Sequence, residues 1–415
     1  MIATVPESAV AALDARLDKN AGQPLAVAFS GGGDSLAMLL VASGWARRAG
    51  RQIIAFTVDH RLQAGSGDWA RWCAERAQAQ GIAHRTLVWD GAKPATGLPA
   101  AARAARHRLI AEAARAAGAR VVLFGHTLDD RLEAAWMAAH GIRVGAPRAW
   151  SPSPVWPEGR GQHVLRPLID LRRSVLRDWL RTGGETWIDD PANADAGQPR
   201  IRARLELAGE TAPHLREADE TYPSTPLSVG PAGEVSIAPS MLSGDGANRL
   251  LGAAICCVSG RERPPRASAV DRLRQRISAA ETARATLGGV RVAASGPAIM
   301  LAREVGDSRA RGPASITLER DGAQVFDGRF EVETRVAGLS LTALGGRMPK
   351  LPRRLRGRLA SLHPLARAAL PALIDGSGAV SCPTLEPDPR VRIRALISLR
   401  LAGACGMVHG EAEIR

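Results

Sequence analysis

The chain has 415 residues, too many for one ordinary domain and enough for two or three with cores of their own. Apolar residues make up 45% and charged residues 23%, which excludes wholesale disorder. The net charge of +14 is arginine charge, since Lys19, Lys93 and Lys350 are the only lysines. Guanidinium groups pair bidentately with phosphate, which points to an anionic partner such as nucleic acid. Replacement of lysine by arginine across a genome would give the same balance. The five cysteines, Cys73, Cys256, Cys257, Cys382 and Cys405, form no C-x-x-C pair, which argues against a zinc ribbon, an iron–sulfur site or a disulfide framework. A reducing cytoplasm is the expected setting. The opening MIATVPESAV lacks the basic and apolar regions of a signal peptide, and no apolar run approaches the ~18 residues that span a bilayer, so no membrane partner is expected.

In chain order, Leu25–Phe29, Ile53–Val58, Thr86–Trp89 and Val121–Phe124 are short apolar runs that read as buried strands. Between them, Ser35–Ala49, Ser66–Gln80, Leu98–Ala117 and Leu128–His140 carry helical spacing, with Gly50, Gly81, Gly118 and Gly141 standing where each helix should stop. This alternation predicts a parallel, doubly wound α/β sheet, with ligands beyond the carboxyl ends of its strands. All nine tryptophans, Trp45 through Trp187, precede residue 190, and that shift sets a domain boundary near residue 205. Beyond it, Tyr222–Ser240 is rich in Pro, Ser and Gly and reads as a linker or surface excursion. Leu242–Ile277 reads as mostly helical, while Val290–Arg303 and Leu370–Cys382 read as hairpins turning at Ser295-Gly296-Pro297 and Asp375-Gly376. The clusters Arg353–Arg358 and Arg390–Arg394 read either as stripes for phosphate or as solvated charge.

The chemistry gathers at strand ends. Ser30-Gly31-Gly32-Gly33-Asp34-Ser35 follows the first strand and opens directly onto an apolar helix. Three glycines let backbone N–H groups turn toward one point, and the helix N-terminus adds positive potential, a design that holds phosphate. No lysine follows, so this is not the G-x-x-x-x-G-K-[ST] loop.

The S-G-G-x-D-S pattern resembles the signature of the PP-loop ATP pyrophosphatases, which cleave ATP between its α- and β-phosphates and transfer AMP. Further motifs narrow the resemblance: Val58-Asp59-His60-Arg61-Leu62, the stretch LPAAARAARHRL at Leu98–Leu109, GHTLDDRLE at Gly125–Glu133, Arg166-Pro167-Leu168, and Trp187-Ile188-Asp189-Asp190-Pro191-Ala192-Asn193. In this order they look like the bacterial tRNA(Ile)-lysidine synthetase family, densely over the first 205 residues. Arg61 stands where that family usually has Gly, His107 where Tyr is common, and Thr127 and Arg131 where His and Gln are usual. Gly197–Arg202 is a loosened form of its Arg-Asn-x-x-Arg ending.

The resemblance implies ATP-dependent ligation of free L-lysine to C2 of the wobble cytidine of the CAU-anticodon tRNA(Ile). It implies that Ser30, Gly31, Gly32, Gly33, Asp34, Ser35, Asp59 and His60 hold ATP, with Mg2+ on Asp34 and Asp129. Asp34, Asp129, Asp130 and His126 are the catalytic candidates. Arg103, Arg106, Glu133, Arg166, Asp190, Asn193 and Arg202 are candidates for substrate contact. The residues argue similarly by themselves: Asp129 and Glu133 stack on one helix face, and Asp34 ends a strand next to theirs, so a cation would relieve their repulsion. An ordinary acidic helix start would explain one of these acids as well. His60 and His126 either meet the nucleotide or are simply packed, and Arg103 and Arg106, three apart, share a face for phosphate or for solvent. The expected layout is a catalytic ATP-binding domain over 1–205, a linker and mostly helical tRNA-contact region over 206–310, and a small mixed tRNA-binding module over 311–415. A homodimer stays open. The competing readings are a tRNA thiolase of the same superfamily and a non-catalytic nucleotide- or tRNA-binding protein.

Overall fold

The computed structural model describes residues 6–63, 65–142, 145–189, 199–207, 228–244, 246–306 and 315–414. The chain divides into two compact units, residues 1–219 with 408–415, and residues 220–407. In the first unit, α1 (Glu7–Arg16) precedes β1 (Leu25–Ala28), α2 (Gly33–Ala49), β2 (Ile53–Asp59), α3 (Ser66–Ala79), β3 (Ala83–Val88) and α4 (Leu98–Ala116). Then come β4 (Val121–Leu123), α5 (Leu128–Ala139), β5 (Trp150–Pro152), β6 (His163–Leu165), α6 (Arg173–Thr182) and α7 (Pro199–Glu206). The strand order is β3-β2-β1-β4-β6-β5. Every pair is parallel except β5 with β6. The alternation expected from the sequence is present, and each of the four expected helices stops within two residues of its glycine.

The order reverses between β1 and β4, whose register pairs Val27 with Leu123. A crevice therefore opens beyond their carboxyl ends, where the crossover helices diverge to opposite faces. One face of the sheet is sealed by α4, with Ile110 and Ala114 packed against Ala26, Phe56, Val122 and Phe124. α2 is buried along most of its length, including Leu36, Met38, Leu39, Val41 and Trp45, which fixes its first turn rigidly at the crevice. α6 is held by Leu176 and Leu180, one turn apart on its buried stripe.

The last described residues rejoin this first unit, which no sequence signal announced. Glu411 receives both Nη groups of Arg51, at 2.9 and 3.0 Å, and the backbone N–H of Asp18 at 3.1 Å. Trp150 donates its indole N–H to the Val408 carbonyl at 2.7 Å, and Arg16 donates to that of His409 at 2.6 Å. The Arg51 and Glu411 side chains are 2% and 1% exposed.

In the second unit, β7 (Ser228–Val229), β8 (Val235–Ile237), β9 (Thr282–Leu287), β10 (Val290–Ser295) and β11 (Ala298–Arg303) form an antiparallel sheet in the order β7-β8-β11-β10-β9. Helices α8 (Ala247–Ser259) and α9 (Ala267–Ser278) pack on it through Leu251, Ile255, Val270 and Leu273. The Pro/Ser/Gly-rich stretch read as a linker thus includes β7 and β8, because Val235 and Ile237 have apolar partners in this core; its residues 222–227 lie outside the described residues. Two further antiparallel sheets follow. One joins β12 (Ser315–Thr317), β15 (Ser340–Ala343), β16 (Pro371–Ile374) and β17 (Val380–Ser381). The other joins β13 (Gln324–Phe326), β14 (Phe330–Thr334) and β18 (Val391–Ala395). Both hairpins expected from the sequence are present. Short helices α10 (Arg353–Ala360), α11 (Pro364–Arg367) and α12 (Ile397–Ala404) complete the unit. Among the described residues no helix is long and apolar enough to cross a membrane.

Removing one partner of a buried ion pair leaves the other charged and dry, at a cost of about 3 kcal/mol or more. Glu411→Ala is therefore expected to destabilise the first unit by about 3 kcal/mol. Urea unfolding followed by tryptophan fluorescence reads this unit selectively, because every tryptophan lies in it. An unchanged midpoint would mean that the returning segment contributes nothing to its stability.

Candidate active site

β1 continues for one residue beyond Ala28, where the Phe29 N–H donates to the Phe56 carbonyl of β2 at 2.9 Å. The chain then turns through Ser30–Gly32 into α2. Gly31 sits at φ +83°, and a Cβ there would come within 2.6 Å of Ile188 Cδ1. The Ile188 N–H closes the contact by donating to the Gly31 carbonyl at 3.0 Å. Ser35 ties the loop from within, accepting from the Ser30 N–H at 3.2 Å and donating to the Gly32 carbonyl at 2.8 Å. Among the described residues no side chain caps α2, so its first-turn N–H groups stay available to an anion. Across the crevice, a Cβ at Gly125 would lie 2.4 Å from the Asp34 carbonyl oxygen. That close approach of β4's exit to α2 admits only glycine.

The acids of the crevice are neutralised by arginines. Arg173, the first residue of α6, donates from Nε to Asp34 Oδ2 at 2.9 Å and from Nη1 to Glu133 Oε1 at 3.1 Å, and its Nη2 lies 3.9 Å from Asp130 Oδ1. Asp129 fixes that helix end by accepting the Arg173 backbone N–H at 2.7 Å. Asp130 accepts the Thr127 N–H at 2.8 Å, closing a capping box at the start of α5, and also meets Arg200 at 2.8 Å. Glu133 takes two more guanidiniums, Arg200 at 2.8 Å and Arg204 at 3.0 Å. Burial raises the Asp34 carboxyl above its ordinary range while Arg173 pulls it back down. Burial likewise opposes the charge on Arg173, but Asp34 and Glu133 more than restore it. Asp34 Oδ1 is the only buried carboxylate oxygen without a partner among the described residues.

These groups surround a pocket of about 520 Å³. Its wall includes Ser30, Gly32, Gly33, Asp34, Ser35, Asp59, His60, Arg103, Arg106, His126 and Asp130, all expected from the sequence. Gly31 lies in the loop behind them. Arg173, Arg177, Arg200, Arg204 and Ile188 also line it and were missed as site residues; the first four are arginines in an arginine-rich chain. The signal that carries all four is i, i+4 spacing, of Arg173 and Arg177 on α6 and of Arg200 and Arg204 on α7. Asp129 does not line the pocket and faces α6 instead, also 3.5 Å from Arg172. Glu133 lies behind the wall, buried under its three arginines. Arg166 is buried behind His126, and Arg202 is exposed on α7. Asp190 and Asn193 lie outside the described residues. Arg61 adopts φ +51°, the left-handed backbone that glycine takes freely, and its guanidinium is paired with Asp90 at 2.7 Å.

His60 and His126 are both pushed below the usual imidazole range. Burial, then the charge of Arg106, lowers His60; its Nδ1 is buried without a partner, and its ring stands edge-on to Trp89. Burial, then Arg166 and Arg106, pushes His126 well below the usual range. His107, under Phe124, is pushed down to about 2 by burial and by Arg106. The pocket therefore presents six arginines against the carboxylates of Asp34, Asp59, Asp130 and Asp189, a setting for a polyanion.

A glycine loop opening a buried helix at the switch point of a doubly wound sheet, with an aspartate in that helix's first turn, defines the PP-loop class of nucleotide-binding proteins. A family model described as PP-loop domain matches residues 6–211. The chain is 43% identical over 408 residues to the tRNA(Ile)-lysidine synthase of Caulobacter vibrioides, covering 97% of this chain and 98% of that one. It is 36% identical to the tRNA(Ile)-lysidine synthase of Hyphomonas neptunium over 74% of this chain and 89% of that protein. The synthase of Mesorhizobium japonicum is 43% identical over 45% of this chain and 43% of its own length. The chain belongs to the tRNA(Ile)-lysidine synthase family.

Gly125→Ala is expected to push the first turn of α2 out of place, since the atoms that the new Cβ would meet are α2 backbone. Calorimetric titration with ATP should show affinity reduced at least about tenfold, or about 1.4 kcal/mol. Binding at the wild-type level would show that the approach of β4 to α2 does not set the loop.

Proposed function

We propose that the chain acts as its family does, as an ATP-dependent ligase that joins free L-lysine to C2 of the wobble cytidine in the CAU-anticodon tRNA(Ile), releasing AMP and pyrophosphate in the cytoplasm. The observation that carries this reading is the start of α2, uncapped among the described residues, with the buried and unpartnered Asp34 oxygen beside it, at a pocket walled by six arginines. The C2 carbonyl of cytosine is a poor electrophile; transfer of AMP to its oxygen turns that oxygen into a good leaving group, and the ε-amine of lysine then displaces it. The cytosine lies in a single-stranded loop, so it enters a pocket without opening a duplex.

The residues divide this work. The loop N–H groups of Gly31–Asp34 and the α2 terminus hold the phosphates that leave. Asp34 Oδ1 suits Mg2+, which takes one or two carboxylates and completes its shell with phosphate oxygens and water. Asp129 is committed to α6, so Asp34 is the carboxylate we assign to the ion. Such an ion would neutralise charge building on the phosphates. Arg103 and Arg106 present cationic donors from α4 to the same space. Lysine must attack as the neutral amine, and of Asp129, Asp130 and His126 as proton acceptors, Asp130 is the carboxylate that lines the pocket. The sulfur-transfer alternative lacks support: all five cysteines are buried, and burial lifts Cys73 and Cys405 to about 11 and Cys257 and Cys382 to about 12, so these thiols stay protonated.

Release of AMP that requires magnesium, lysine and the tRNA together tests the reading. AMP release without lysine would fit a different acceptor, and none at all would fit a binding protein. In this assay Asp34→Asn keeps the loop's size and removes its open charge, so adenylation should fall by about 10²-fold or more, equivalent to about 3 kcal/mol. Near-normal turnover would reject the role given to Asp34. Affinity for the tRNA should fall steeply and linearly in log–log form with added salt, because arginines displace counterions from phosphate. A flat salt response, measured by filter binding, would assign the basic excess to genome-wide replacement of lysine by arginine.

A further inference from the structure

Behind the pocket wall, Arg166 follows β6 and is 6% exposed. Its Nη1 donates to the Arg148 carbonyl at 2.7 Å and to Ser151 Oγ at 3.3 Å, which anchors the plane of the guanidinium. Its Nε donates to His126 Nδ1 at 3.1 Å. A guanidinium has donors only and keeps its proton at every physiological pH. The Nδ1 it meets must therefore carry the lone pair, and the single ring proton must sit on Nε2. His126 is 8% exposed, packs beside the Phe124 ring at 5.7 Å and lines the pocket, so the Nε2 edge is the one left for a ligand.

We propose that Arg166 is a positioning residue that fixes His126 in its neutral Nε2–H tautomer, making His126 a hydrogen-bond donor to an anionic oxygen in the pocket and removing it from the candidates for proton acceptor. The ligand class rests on the nucleotide reading above; the tautomer does not. A second proton would have to enter at Nδ1, against the Arg166 guanidinium. The cations near the ring oppose it too, Arg103 and Arg106 of α4 and Arg200 of α7, while His107 of α4, itself pushed down to about 2, adds no charge. Asp130 of α5, the acid sharing the pocket, is already engaged by Arg200 and the Thr127 N–H. A neutral donor of this kind stabilises developing oxyanion charge without changing protonation state as pH varies.

The test is nitrogen NMR of the full chain labelled with 15N in histidine and arginine, the His126 signals being assigned by their loss in His126→Gln. The expected wild-type spectrum has Nε2 protonated and Nδ1 unprotonated, a pattern constant over roughly pH 5 to 8, where a free imidazole would titrate. A scalar coupling across the hydrogen bond, from the Arg166 Nε–H to His126 Nδ1, is expected alongside it. An Nδ1–H tautomer, a charged ring in that range, or absence of the coupling overturns the proposal. In Arg166→Met the ring should become a mixture of tautomers and begin to titrate; an unchanged ring in a folded variant would show that Arg166 does not set it. The wild-type spectra decide the question even where the variant fails to fold. They are recorded without substrates, so they stand apart from the outcome of the AMP-release assay.

Discussion

Carboxylates gathered at the edge of a buried sheet repel one another, and two unit charges 4 Å apart at an effective dielectric near 20 interact by about 4 kcal/mol. Asp34, Asp130 and Glu133 meet this constraint by sharing Arg173, whose guanidinium spans all three. The rest of the crevice follows from placing that one cation. Asp129 accepts the Arg173 backbone N–H and so pins the start of α6, and Leu176 and Leu180 hold the helix behind it. Arg200 and Arg204 of α7 then balance the charge left on Asp130 and Glu133. Four helices, α2, α5, α6 and α7, thus converge because their charges cannot be buried separately.

Much of the first unit was legible in the sequence because its strands are short apolar runs and its helices end near glycines, signals carried within a few residues. The loop at Ser30–Ser35 was legible for the same reason. β5 and β6 were not, since three residues give no period to detect, and Trp150–Pro152 and His163–Leu165 gain their identity by pairing with each other. Arg173 escaped because its meaning comes from contacts 40 to 139 positions away in a chain where arginine is common. The shared face predicted for Asp129 and Glu133 is real, but what meets it is the start of α6, through the Arg173 backbone and side chain, where the sequence suggested an ion. At Arg61 the structure shows why glycine suits the position: the backbone is left-handed there, a conformation that glycine adopts without strain, and Arg61 takes it while paired with Asp90.

The basic character of the second unit looks different once partners are assigned. The two alternatives for Arg390–Arg394 both treated the cluster as free charge. Arg390 is instead bound to Asp388 and Asp375, and Arg394 to Glu331, while Arg392 and Arg394 are the exposed members of the stripe. Arg354 of α10 pairs with Glu386, and Arg358 donates to the Leu385 carbonyl. Arg329 is fully buried, joined to Asp327 and to the carbonyls of Ala232 and Ala369. Here the five-donor fork of arginine serves as an internal strut, a use that a count of net charge does not reveal.

Because Val408–Ile414 belong to the first unit but are encoded after the whole of the second, the order of synthesis and the order of completion differ. A nascent chain can assemble the sheet around β1 and β4 early, as domains generally do during translation. Arg51, however, must wait for Glu411, about 360 residues later, before its charge is matched. Any product that stops within the second unit carries a first unit without the carboxylate partner of Arg51, and its folded state loses that pairing.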